Sequence, residues 1–358
     1  QCEVPSFGNY IQSTLQLTDE DKEILDRMEQ NYNYLIFKIS EASLSEPPKI
    51  PHVFHFIWLG PSPFPKDSLN RLRIWVDTHS DWKFKFWTDS TELQIPIKGV
   101  EKHLISELTL ERIGKYIKET KNYGEASDLL RYEILWQEGG IYIDHDVDCL
   151  SQLDRVCSQV EFFAGIEPLH EDFCAGSFIT VSNAVIGSIP HHPILDDTLE
   201  MIDKNWDYFA SKYMFDDQFS KVMRVLQRTF VPFTKSVKKN YFNNNQPNLI
   251  FPPLAFSVKH VPNWENIVLN DPKGLFIYGN HMWTFSWQDK EKPHSTKPHG
   301  LSLSAFNRVL NVLLAISFLL MLVIISSAIS AWHFVKVQTP SGPELGKGTV
   351  RGDLTKII

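Results

Sequence analysis

The chain holds 358 residues, 43% of them hydrophobic, with a formal net charge of −8. That length and apolar content suffice for a large folded core, and an acidic chain without a long basic run excludes nucleic acid as the expected partner. The four cysteines, Cys2, Cys149, Cys157 and Cys174, are spaced neither as a metal site nor as a disulfide framework, so they fit either redox compartment. Gln1 in place of an initiator Met leaves a processed N-terminus and a trimmed chain equally open.

Thr18 stands before Asp19, Glu20 and Asp21, so it caps a predicted helix over 18–43 whose first turn is acidic. Ile24, Leu25, Met28, Tyr32, Leu35 and Ile36 form its apolar stripe, which packs on the core. Glu46-Pro47-Pro48 closes an N-terminal helical region, 1–48. Residues 50–60 are rich in aromatic and β-branched side chains and end at Gly60, which predicts a strand. His52 and His55 on it have no metal partner at ligand spacing, so packing or hydrogen bonding is expected of both. Residues 66–79 predict a helix with Leu69, Leu72, Trp75 and Val76 inward. Residues 82–87 alternate strictly and predict a strand, completing a βαβ unit. The stretch 92–121 is mixed and helical in part.

The segment 123–149 carries the chemistry. It begins as an amphipathic helix and stops at Gly139-Gly140, since glycine takes positive φ without penalty. Ile141-Tyr142-Ile143 follows as a short buried strand and opens onto Asp144-His145-Asp146-Val147-Asp148. Clustered carboxylates repel one another and are costly to desolvate, and a hard divalent cation is the simplest reason for them. Asp128 and Arg131, three apart, share one helix face, where an Arg keeps nearby carboxylates ionised and offers a fork to hydroxyls or phosphate. Asp144 and Asp146, two apart, point to the same side if the strand continues.

Residues 127–147, SDLLRYEILWQEGGIYIDHDV, resemble the nucleotide-sugar core of the DXD-containing glycosyltransferases, which include Och-type mannosyltransferases and the glucosyltransferase domains of large clostridial toxins. Residues 50–60 and 82–89 are similar to that family's first two strands, and the resemblance extends to Trp287. It implies a GT-A-type nucleotide-sugar-binding fold, a Rossmann-like mixed sheet flanked by helices, over 49–290. It implies that Asp128 and Arg131 contact the donor sugar, that Tyr142 lines the site, and that Asp144 and Asp146 hold ribose and metal. Trp58 then stacks on the nucleotide base at the carboxyl end of its strand. Asn183, in a small-residue turn over 183–193 before a short helix, is either a donor-facing amide or a turn former. The segment 277–287 resembles the family's closing element, in which His281 or Ser286 completes the metal shell and Trp287 lies over the diphosphate. An imidazole ligand favours Mn²⁺ over Mg²⁺.

After the D-x-D, strands are expected over 160–167 and 175–181. Residues 194–230 are helical in pattern, with Met214 and Phe219 among the side chains spaced for burial. The Asn-rich stretch 240–248 predicts a solvated turn. His191 and His192 flank prolines and are expected to cap or pack.

Residues 309–331 carry no charge over 23 residues and, at about 1.5 Å per residue, are long enough to cross a bilayer as one transmembrane helix. It follows a linker, 291–308, and precedes a polar tail, 332–358. Lys292, Lys297 and Arg308 before it balance Lys336, Lys347 and Arg351 after it, so its orientation is open.

The expectation is a membrane-anchored, metal-dependent, anomer-retaining transfer of a hexose from a nucleotide diphosphate sugar. UDP-hexose stands ahead of GDP-mannose, and the acceptor is a protein, lipid or glycan. The alternatives are a silent sugar-nucleotide-binding membrane protein and a metal-dependent phosphohydrolase.

Overall fold

In the computed structural model the described residues are 17–43, 46–169, 177–241, 247–260 and 276–284. A seven-stranded sheet runs in the order β3-β2-β1-β4-β7-β6-β8. Its strands are β1 (Val53–Trp58), β2 (Lys83–Thr88), β3 (Val100–Leu104), β4 (Gly140–Ile143), β6 (Phe162–Ile166), β7 (Val181–Ser188) and β8 (Asn248–Phe251). Pairs β1/β2, β2/β3, β1/β4 and β6/β8 are parallel, and β7 is antiparallel to both β4 and β6. Only β7 is therefore reversed, and the other six strands deliver their carboxyl ends to one edge. A separate antiparallel pair joins β5 (Val147–Cys149), just beyond β4 in sequence, to β9 (Gly279–His281).

Helix α1 (Asp19–Glu41) begins where the cap predicts, with Thr18 Oγ1 accepting from Asp21 N at 3.1 Å. Its Leu25, Met28, Tyr32, Leu35, Ile36 and Ile39 join the same apolar core as the sheet. Helix α2 (Lys66–Thr78) links β1 to β2 as expected. Helix α3 (Gly114–Glu119) precedes α4 (Tyr123–Glu138), which the side chain of Asn122 caps by accepting from Glu125 N. Glu133 of α4 is buried and accepts from the backbone N–H groups of Glu111, Arg112 and Ile113. Helix α5 (Asp154–Gln159) follows β5, and α6 (Pro193–Lys212) follows β7. Helix α7 (Gln218–Val225) passes through one π turn, Leu226–Phe230, into α8 (Val231–Asn240).

Between α4 and β4, Gly139 has φ 67° and Gly140 has φ 96°. A Cβ on Gly140 would sit 2.6 Å from the Val53 carbonyl oxygen, so this entry to the sheet demands glycine for space as well as for φ. His55 Nε2 lies 2.9 Å from Gly139 O, and Trp87 Nε1 donates to His55 Nδ1 at 3.1 Å. These partners fix a neutral imidazole protonated on Nε2. Burial pushes its pKa down to about 4.

Several expectations change. The stretch 183–188 is not a turn: it lies in β7, whose pairing with two neighbours overrides its small and polar composition. The predicted strand at 175–181 is replaced by this one, which begins at Val181. β3 was not foreseen, because an edge strand reading Val-Glu-Lys-His-Leu carries no apolar alternation. Met214 and Phe219 are exposed, not buried. Asn240 ends α8 and Asn248 is buried in β8, where its Oδ1 accepts from His192 Nε2, so neither lies in a solvated turn; 242–246 lie outside the described residues. His192 caps α6 as expected. Cys149 and Cys157 are free thiols. Among the described residues no helix is long and apolar enough to cross a membrane; the predicted span 309–331, its linker and its tail lie outside them.

Candidate active site

The carboxyl end of β4 meets the middle of α4. Arg131, buried on α4, is the hub. Its Nη2 lies 2.7 Å from Asp128 Oδ1, and its Nη1 lies 3.2 Å from Asp144 Oδ1 and donates to Asn183 O at 2.6 Å. The guanidinium stacks 4.3 Å from the centroid of Tyr142 on β4. Tyr142 OH donates to Asp144 Oδ1 at 2.5 Å. Asn183 of β7 donates from Nδ2 to Asp128 Oδ1 at 3.2 Å. Charges that look solvated on a helical wheel are thus buried and paired. Burial works against the Arg131 charge, but Asp144, Tyr142 and Asp128 outweigh it and hold the group firmly protonated. Burial likewise pushes Asp128 up, partly offset by Arg131 and Thr229.

The strand does not continue through the D-x-D. β4 ends at Ile143, and Asp144 to Val147 form a turn closed by Val147 N donating to Asp144 O at 3.2 Å. The turn, not strand alternation, brings the two carboxylates together, because backbone pairing passes here from the main sheet to β5 and β9. His281 at the end of β9 completes the cluster: its Nε2 lies 3.3 Å from Asp146 Oδ1 and 3.9 Å from Asp144 Oδ2. Asp146 Oδ2 accepts from both Thr284 N and Thr284 Oγ1 at 2.8 Å. Burial raises the Asp146 pKa, but the hydrogen bond and charge of His281 and the Thr284 amide prevail and hold it well below the usual carboxylate range. Burial lowers His281, but Asp146 and Asp144 prevail and raise it. Asp148, the third carboxylate of the run, turns away to Arg71 Nε at 2.8 Å.

Two carboxylates and an imidazole, with one ligand atom each within 4.8 Å of the others, fit a divalent cation. Oxygen-rich donors with one nitrogen suit Mn²⁺, and Mg²⁺ less well. Asp144 belongs to both halves of the site, taking Arg131 and Tyr142 on Oδ1 and facing His281 with Oδ2.

Trp58 ends β1 beside the D-x-D, with its ring 5.0 Å from His145 and its Nε1 donating to Ser62 O. Trp58 as a whole is 5% exposed. Ser286 and Trp287 lie outside the described residues. Sequence reasoning did not single out Thr284, although it stands two residues before Ser286. It also did not find Thr229, which donates to Asp128 Oδ2 at 2.6 Å from 101 residues away. His52, which has no metal partner at ligand spacing in the sequence, stacks on Trp82 at 4.0 Å, in keeping with a packing role. The fold brings Asp81 and Asp154 to it, neither at a local spacing.

Residues 65–163 match the family described as "Glycosyltransferase sugar-binding region containing DXD motif". Over this segment the chain is similar to the DXD-containing glycosyltransferases. Among its relatives is inositol phosphoceramide mannosyltransferase 2 of Schizosaccharomyces pombe, 25% identical over 171 residues that cover 48% of this chain and 44% of that protein. Another is mannosyl phosphorylinositol ceramide synthase SUR1 of Saccharomyces cerevisiae, 30% identical over 142 residues that cover 39% of this chain and 31% of that protein. The matched part thus spans less than half of either relative. A solved structure, the PaToxG glycosyltransferase, is 18% identical and covers 72% of this chain and 87% of that one at a TM-score of 0.42. The family match holds Asp128, Arg131, Tyr142, Asp144 and Asp146, while Trp58, Asn183 and His281 lie outside it.

Proposed function

We propose that this chain transfers a hexose from a nucleotide diphosphate sugar in a metal-dependent reaction on a GT-A-type fold. The observation that carries this reading is Asp144, shared between a sugar-directed half (Asp128, Arg131, Tyr142) and a cation-directed half (Asp146, His281). One carboxylate facing both ways suits a ligand with a sugar at one end and a diphosphate at the other. A phosphohydrolase needs only the cation half and gives Asp128 and Arg131 nothing to hold.

Asp144, Asp146 and His281 would hold a divalent cation, which would supply positive charge to the diphosphate leaving group. Thr284 fixes the rotamer of Asp146, and Tyr142 fixes that of Asp144. Arg131, pinned by two carboxylates, is preorganised and offers positive charge where negative charge develops. Asp128 accepts from a donor-sugar hydroxyl. The anomeric carbon loses its bond to the diphosphate oxygen and gains one to the acceptor oxygen on the same face, and the acceptor proton passes to the departing diphosphate. This retaining course and the base-stacking role of Trp58 are parts of the proposal that rest on the family resemblance.

The names of the relatives favour a mannosyl donor, and hence GDP-mannose ahead of the UDP-hexose that sequence reading preferred. They also favour a phosphoinositol-containing ceramide as acceptor. An anchor at 309–331 agrees with an acceptor that lies in a bilayer. The test is release of nucleoside diphosphate by the full chain from a panel of GDP- and UDP-hexoses, with and without Mn²⁺. Metal-dependent release from one donor is expected. Cleavage of simple phosphate esters, with no release from any nucleotide sugar, would replace this reading with the phosphohydrolase.

A further inference from the structure

Pro232 stands near the start of α8. In an uninterrupted α-helix its ring would collide with the Arg228 carbonyl, and it has no N–H to give. The π turn Leu226–Phe230 widens the helix at this point. One result is that two consecutive side chains reach α4. Arg228 lies 3.8 Å from the Trp206 ring centroid and places Nη1 3.4 Å from Glu125 Oε1. Thr229 Oγ1 lies 2.6 Å from Asp128 Oδ2 and 2.9 Å from Val225 O. A hydroxyl has one proton, and the closer, charged acceptor takes it. Thr229 O in turn accepts from Tyr132 OH at 3.2 Å, and Tyr132 OH accepts from Asn183 Nδ2 at 3.1 Å. Asp128, Thr229, Tyr132 and Asn183 therefore close a ring of hydrogen bonds drawn from α4, the π turn and β7.

A carboxylate has about four lone-pair sites. Arg131 and Asn183 occupy Asp128 Oδ1, and Thr229 occupies one site of Oδ2. Among the described residues one site on Oδ2 remains, on a side chain 15% exposed. Thr229 joins the two partners of Oδ1 in fixing the carboxylate plane and, among the described residues, is the one protein partner on the oxygen that carries that last site. We propose that Thr229, presented by the π turn, is a positioning residue that aims Asp128 at a hydroxyl of the donor sugar. This assignment rests on the donor reading above.

The experiment measures, in the full chain with Mn²⁺, the affinities for a nucleotide sugar and for the matching nucleoside diphosphate: GDP-mannose with GDP, and UDP-glucose with UDP. The ratio of the two reports the sugar's own contribution and is independent of the folded fraction. Thr229→Val is expected to weaken the nucleotide sugar about 10-fold while leaving the nucleoside diphosphate unchanged. Thr229→Ser, which keeps the hydroxyl, restores the ratio, and Thr229→Ala repeats the loss should the Val variant fail to fold. An unchanged ratio in the Val or Ala variant overturns the assignment. So does an equal loss for both ligands, which is what a merely structural role gives. A wild-type chain that binds nucleoside diphosphate but gains nothing from the sugar overturns the donor reading and the assignment with it.

Discussion

Two clusters of one imidazole and two carboxylates lie at opposite ends of the parallel strands. Asp144, Asp146 and His281 gather beyond the carboxyl end of β4; His52, Asp81 and Asp154 gather before the amino end of β1. By ligand type and spacing the two are alike, and in each a buried imidazole nitrogen has no hydrogen-bond partner among the described residues. Their surroundings differ. His52 lies flat on Trp82 at 4.0 Å, and Trp82 Nε1 donates to Asp154 Oδ1 at 3.0 Å, so this cluster is the polar rim of an aromatic stack. Asp81 is exposed, and burial lowers the His52 pKa despite both carboxylates. At the other end the carboxylates are held by Thr284 and Tyr142 and border a buried Arg131. A set of donor atoms becomes a site when further groups fix their rotamers and aim them at a shared volume.

Breaking the comparison at its strong end has the largest expected effect. Asp146→Asn removes a carboxylate ligand and should lower nucleoside diphosphate release from the preferred donor by about 10³-fold, whereas Asp154→Asn leaves the rate unchanged. Arg131→Met strands Asp128 and Asp144 without their buried cation. Urea unfolding should show a loss of about 3 kcal/mol. A smaller effect comes from β1, which joins the two ends. His55 is neutral and buried with its pKa at about 4, below its unfolded value, so the unfolded chain binds the extra proton. Its contribution is complete above the unfolded pKa near 6.5 and is lost as pH falls towards 4. Unfolding between pH 7 and pH 5 should show about 2 kcal/mol of this dependence, absent in His55→Gln. At the weak end, His52→Ala removes a stacked ring, and a loss of about 1 kcal/mol with unchanged Mn²⁺ affinity is expected.

The same contrast marks what the sequence makes legible. The cap at Thr18, the stripe of α1, the Gly139-Gly140 stop and the Asp128/Arg131 pair are local, so spacing reveals them. The D-x-D was legible as chemistry but not as geometry, because a turn closed at Val147 replaces the expected strand. β7 was misread, since Asn183, Gly187 and Ser188 favour turns locally and only the pairing with β4 and β6 makes them a strand. Thr229 was hidden altogether: its partner is 101 residues away, and the one local hint is Pro232. The match of His52 with Asp154 is equally non-local, which is why spacing alone found no partner for it.

The most direct test is a titration of Mn²⁺ into the full chain with nucleoside diphosphate present, comparing wild type, Asp146→Asn and Asp154→Asn. The account predicts that Asp154→Asn binds as wild type does and that Asp146→Asn loses the site. Retention of Mn²⁺ by Asp146→Asn, with loss in Asp154→Asn, would place the cation at the opposite end of the sheet and contradict it.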